Sequence, residues 1–162
     1  MNSQSATVTT IDMLRHGTTV GGDIFRGSTD VALDDQGWRQ MQQALQGMAG
    51  WQHIVSSPLQ RCRGFAETLA VQQQTGHSLN GDLREIFFGD WEGKTYGEVQ
   101  QADAAAFAGF WRDPLQHTPP NAEPLDGFAR RVQQAFWQEV EQRRGQHLLL
   151  VVHGGVVRAI LG

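Results

Sequence analysis

Two histidine-glycine pairs, His16-Gly17 and His153-Gly154, stand directly after apolar runs of strand length, and Arg15 precedes the first. Glycine weakens a regular element unless another group must approach its backbone closely. The pairing therefore sets these two apart from His53, His77, His117 and His147, which stand alone and read as structural. A third apolar run ends in Ser56-Ser57-Pro58, with Arg61 a turn later. Two guanidiniums, permanently charged and planar, suit a phosphate dianion. Gly154-Gly155, opening a helix, leaves backbone N–H groups free to meet an anion. The chemistry these residue types permit together is the holding of a phosphoryl group. Metal binding is the other common use of histidine, but there is no HExxH and no His/Asp pair at ligand spacing around His16 or His153, so neither a metal nor a cofactor is expected. Cys62 has no CxxC partner, lies in a periodic segment and reads as a small buried side chain.

A frame must bring these segments together. Residues 7–14 (TVTTIDML), 53–57 (HIVSS) and 147–152 (HLLLVV) read as strands, the last two apolar at consecutive positions as in a sheet covered on both faces. Between them, apolar residues recur at three and four. Trp38, Met41, Leu45 and Met48 mark a helix over 34–48, and Leu59, Cys62, Phe65, Ala66 and Leu69 mark the next. The second is expected to start with Ser57 as N-cap, Pro58 at the first helical position and Gln60 closing a capping box. A third helix is expected over 125–144, with Phe128, Val132, Ala135, Phe136 and Val140 inward and Arg143, Arg144 and Gly145 closing it. Alternating strands and helices with short connections predict an α/β three-layer sandwich, a mostly parallel sheet with helices on both faces. Ligands bind such sheets at the carboxyl ends of the strands, where all the residues singled out above fall.

The length predicts one domain over 1–162, with 94–124 (KTYGEVQQADAAAFAGFWRDPLQHTPPNAEP) read as a small helical cap with a proline-rich exit. A net charge of −4 argues against nucleic-acid or anionic-membrane partners, which require clustered Lys and Arg. The opening MNSQSATVTT has neither a basic nor an apolar leader region, and no run is long enough to span a membrane, so a cytoplasmic protein with a small-molecule partner is expected. Self-association as a homodimer is left open.

LRHGTT, SSPLQR, LREIFFGDWEG, NAEPLDGFARRV and VVHGG resemble, in order, the signature segments of the histidine phosphatase superfamily, the phosphoglycerate mutase-like enzymes. Within it, LREIFFGDWEG and the short insert after it are most similar to the alpha-ribazole phosphatases, which remove a phosphate during assembly of the lower cobalamin ligand. The resemblance implies a phosphoglycerate mutase-like fold, His16 as phosphoryl acceptor, Arg15 and Arg61 as phosphate clamps, His153 as the second histidine stabilising transferred charge, and Glu85 as proton donor. Leu83, Ile86, Phe87, Phe88 and Trp91 are expected to desolvate that carboxyl. Trp91, Phe110 and Trp111 are candidate faces for an aromatic leaving group. Glu123 matches a position near the phosphate. Thr18 stands where the family commonly has Glu or Gln, and Gly22 where many members have Asn, so Thr19 or backbone N–H groups are expected to supply the missing donor. Members also continue past the position of Gly162, about two turns into the helix opened by Gly154, and the end is read as that of a truncated chain, with a shortened member as the alternative. A broad-specificity phosphatase, a phosphoglycerate mutase and a non-catalytic phosphate-binding protein are the alternatives.

Overall fold

The computed structural model describes residues 7–162. Residues 1–6, on which part of the leader argument rests, lie outside the described residues. Four parallel strands, β1 (Thr10–Arg15), β2 (His53–Ser56), β3 (Gly76–Leu79) and β4 (His147–Val152), form one sheet in the order β1-β4-β2-β3. Alternation along β1, β2 and β4 sends side chains to two separate cores. Leu14, Ile54, Leu149 and Val151 pack on one face against Met41 of α1 (Asp35–Ala44) and Cys62, Phe65, Ala66 and Leu69 of α2 (Gln60–Gln73). Val55, Leu148, Leu150 and Val152 pack on the other against Phe128, Val132 and Ala135 of α5 (Leu125–Gln142) and Val156 of α6 (Gly154–Leu161). A sheet buried on both faces is the three-layer arrangement expected from its consecutive apolar positions. Two further helices, α3 (Tyr96–Ala102) and α4 (Ala104–Arg112), lie over a third cluster of Phe25, Trp91 and Val99. No helix among the described residues is long and apolar enough to cross a membrane.

Three sequence expectations require correction, and one strand was not foreseen. β3 is a strand that periodicity does not reveal, four residues long and including Gly76 and Ser78. α1 ends at Ala44, because the chain turns at Leu45 and Gly47 adopts a positive φ of 80°, which leaves Met48 exposed instead of inward. α5 turns Glu139 inward to accept from Asn80 and pair with Arg143, so Val140 is only half-buried. Ser57 does not cap α2. The helix begins at Gln60 after Leu59, which offers no side-chain cap. The Ser57 hydroxyl is drawn to His153 instead, and Gln60, expected to close a box with it, binds Asp30.

Candidate active site

β1, β4 and β2 end level with one another, Arg15 opposite Val152 and Ser56 opposite Val151. The next residue of each strand, His16, His153 and Ser57, therefore emerges at the same edge. His16 Nδ1 lies 2.8 Å from the Gly17 carbonyl oxygen. A carbonyl only accepts, so Nδ1 carries the proton and Nε2 keeps its lone pair. Burial lowers the pKa of His16 to about 4, opposed by the Gly17 hydrogen bond, the next largest influence, and helped by the smaller effects of the charges of Arg61, Arg15 and Arg26. Gly17 is where close approach requires glycine: a Cβ there would lie 2.3 Å from the Gly37 carbonyl oxygen in the first turn of α1. Asp34, the N-cap of α1, accepts from Gly37 N and from the Thr18 hydroxyl, both at 2.6 Å. Thr18 thus ties the loop after His16 to that helix.

His153 is fully buried behind His16, the two rings meeting edge to face with centroids 5.2 Å apart. Its Nε2 is 2.7 Å from the Ser57 hydroxyl, which also accepts from Leu59 N at 3.3 Å. Burial, then the charges of Arg61, His16 and Arg15, holds its pKa well below the ordinary histidine range. Cys62 packs beside it, donating to Val152 O at 3.4 Å, and burial pushes its thiol pKa up, which makes it inert.

Arg61 is 1% exposed. It donates Nη1 to Thr29 O at 2.7 Å and Nη2 to Gly27 O at 2.6 Å. Those carbonyls are held in turn by Glu92, whose carboxylate accepts from Ser28 N at 2.9 Å, Thr29 N at 3.1 Å, the Thr29 hydroxyl, and Phe88 N at 3.0 Å. Glu85 accepts from Ile86 N at 3.1 Å through Oε1 and from Gly155 N at 2.9 Å through Oε2. One of the two helix-opening N–H groups expected to be free is thus taken by Glu85, and a Cβ on Gly155 would sit 2.2 Å from its Oε1. Gly154 lies against Arg15, where an added Cβ would be 3.2 Å from Nε.

Two cavities meet at these residues. One, of about 330 Å³, is lined by Arg15, His16, Arg26, Arg61, Glu85, Phe88, Tyr96, Phe110, Trp111 and Arg158, among others. The other, of about 520 Å³, is more polar and includes Arg15, His16, Thr18, Thr19, Gly22, Arg26, Asp34 and Gln40. The structure thus brings Arg15, His16, Arg61 and Glu85 to one cavity and Thr19 to its neighbour, with His153 and Gly154 behind them. The apolar flank of Glu85 is less closed than its sequence suggests, since Phe87 is exposed and Trp91, 4% exposed, packs under α3 and α4. Trp91 is therefore not a face of the cavity, whereas Trp111 is 57% exposed at its wall. Glu123 lines neither cavity and pairs with Arg131 at 2.8 Å. Sequence reasoning missed Arg26, Glu92 and the Ser57–His153 pair. The partners of Glu92 and of Ser57 are remote in the chain, those of Arg26 are backbone carbonyls of its own loop, and only FFGDWEG, which contains Glu92, carried any signal.

The sequence pattern of the histidine phosphatase superfamily (branch 1) matches residues 11–162. The chain is 34% identical over 161 residues to a glucosyl-3-phosphoglycerate phosphatase of Mycolicibacterium vanbaalenii, covering 91% of this chain and 70% of that one. It is 27% identical over 154 residues to the adenosylcobalamin/alpha-ribazole phosphatase of Escherichia coli, covering 92% and 75%. Among solved structures, YhfR of Bacillus stearothermophilus superposes with a TM-score of 0.86 at 29% identity, covering 95% of this chain and 78% of that one. Other relatives are much longer: the chain spans 44% of a bifunctional protein of Mycobacterium tuberculosis to which it is 32% identical.

Proposed function

The chain belongs to the histidine phosphatase superfamily, branch 1, and from that premise we propose that it hydrolyses phosphomonoesters through a phosphohistidine on His16, with alpha-ribazole 5′-phosphate as substrate. The observation that carries the reading is the single cavity holding His16, Arg15, Arg61 and Glu85 together with an aromatic wall. Arg15 and Arg61 hold the phosphoryl oxygens, and the Nε2 lone pair of neutral His16 attacks phosphorus in line. The bond to the leaving oxygen breaks as that oxygen takes a proton from Glu85. In the second step the Glu85 carboxylate removes a proton from water, the hydroxide attacks phosphorus, and the P–N bond returns its electron pair to Nε2. His153, held by Ser57 and in edge contact with His16, is the second histidine proposed to stabilise the transferred charge. Thr19 faces the polar cavity, and Gly154 keeps Arg15 close to the opening of α6.

Glu85 lines only the smaller cavity, so the leaving group occupies that side, against Phe110 and Trp111. An aromatic base matches those faces. A carboxylate-bearing leaving group is the second reading, favoured by Arg158, which lines the same wall and forms no ion pair among the described residues. A panel of phosphomonoesters decides between them. Remote binding that acts in the transition state raises kcat/KM, so alpha-ribazole 5′-phosphate is expected to exceed both ribose 5-phosphate and phosphoserine by about tenfold or more, roughly 1.4 kcal/mol. Equal values for the two ribosyl esters, or a lead for phosphoserine, would reject the ribazole assignment. His16→Ala is expected to abolish turnover and the acid-labile phosphoryl label alike. Label that persists in that variant would remove His16 from the mechanism.

A further inference from the structure

Among the described residues, two buried side-chain polar atoms have no hydrogen-bond partner, and both are guanidinium nitrogens: Nε of Arg61 and Nε of Arg26. Roughly nine in ten buried polar groups are paired, so an orphan calls for an explanation, and beside a cavity a bound group is one. Both arginines line the cavity that holds His16 and Glu85, and Arg26 lines the second cavity as well, so it stands where the two meet. Its outer nitrogen is already committed, donating Nη2 to the carbonyl oxygens of Gly22 and Val20. The chain is bent to make this possible, because Gly21 and Gly22 take positive φ values of 97° and 71°. Fixed at that end, the guanidinium has its Nε–H edge unspent. Its charge acts on the same group as the other two arginines, since Arg61, Arg15 and Arg26 all depress the pKa of His16. Asp23 lines both cavities too, yet no ion pair joins it to Arg26.

We propose that Arg26 is a third phosphate-binding arginine, whose Nε–H donates with that of Arg61 to the oxygens of a bound phosphoryl group. The proposal rests on the phosphatase reading of the site and adds a residue that the sequence pattern did not single out. The role makes chemical sense of the loop. The anion satisfies the two orphan donors at once, and a third fixed cation spreads the dianion's charge while His16 attacks.

Inorganic phosphate binding, followed by calorimetry on the whole chain, tests this directly, with p-nitrophenyl phosphate turnover measured alongside. Arg26→Gln is expected to weaken phosphate at least tenfold, about 1.4 kcal/mol, and to lower kcat/KM by a similar factor. Arg26→Lys, which keeps the charge but not the Nε donor, is expected to lose threefold or more. Arg61→Gln serves as the positive control. Phosphate binding by Arg26→Gln within twofold of the parent chain, while Arg61→Gln loses it, would overturn the proposal. If Arg26→Gln fails to fold, Arg26→Lys decides, and unchanged affinity in it counts against Arg26. A parent chain that neither binds phosphate nor turns over any monoester would instead overturn the phosphatase reading, and this proposal with it.

Discussion

A histidine can attack phosphorus only while its ring nitrogen is unprotonated, and burial of His16, chiefly, keeps it so, with the nearby charges of Arg61, Arg15 and Arg26 adding to the effect. The cations proposed to hold the phosphate thus also favour the neutral nucleophile. In the proposed reaction Glu85 has the complementary task at the leaving oxygen. Its two hydrogen bonds, to Ile86 N and Gly155 N, fix its position without using a side chain that substrate must displace. Glu85→Gln preserves the shape and removes the proton. Turnover of alkyl phosphates is then expected to fall by about 10²–10⁴-fold, the usual range for a lost general acid, while p-nitrophenyl phosphate, whose phenolate leaves unaided, slows far less. Parallel steady-state measurements on the two esters check this, and equal slowing would assign Glu85 a structural role. Arg15, His16 and Arg61 could be read from the sequence because each stands at or just after a strand end beside glycine or a helix start. Arg26 could not, because its meaning comes from a contact it lacks, and a missing partner leaves no mark in a sequence.

At the scale of elements, the loop between β1 and α1 is held by Glu92, which comes more than sixty residues later in the chain. Its carboxylate gathers the N–H groups of Ser28 and Thr29, and this turns the carbonyls of Gly27 and Thr29 onto Arg61. The same carboxylate accepts from Phe88 N, and the Phe88 ring meets Phe25 and Phe110 edge to face, so the clamp is joined to the aromatic wall. Glu92→Ala leaves those N–H groups unpaired and Arg61 poorly aimed. The expected result is a loss of about 2–3 kcal/mol of stability, read from chemical unfolding, and a rise in KM that Glu92→Gln partly reverses. The strands and long helices were legible because their apolar spacing is set by burial, which acts on every residue of the element. β3 was not, because an edge strand of four residues with polar side chains carries too little periodicity. The start of α2 was misread for a different reason: Ser57 has the chemistry of a cap, but a buried imidazole competes for its hydroxyl and wins.

For the molecule as a whole, His16, His153, His53 and His77 all have pKa values lowered chiefly by burial. Unfolding restores their ordinary affinity for protons. Between pH 6.5 and about 4 the unfolded chain thus binds more protons than the folded one, so stability is fully present above pH 6.5 and drains away as pH falls. His16 alone accounts for about 3 kcal/mol across that window. Melting followed by circular dichroism is expected to show a falling midpoint from pH 7 to pH 5, and His16→Gln is expected to flatten part of the slope. A midpoint that rises on acidification would contradict the buried, neutral state of these rings. The placement of Glu85 in only one of the two cavities at His16 also has a stereochemical consequence. In the proposed reaction the departing alcohol and the molecule that replaces it use the same doorway, so phosphorus is inverted twice, once at each displacement. When a second alcohol intercepts the phosphohistidine in place of water, a phosphoryl group made chiral with oxygen isotopes is expected to emerge with its handedness retained.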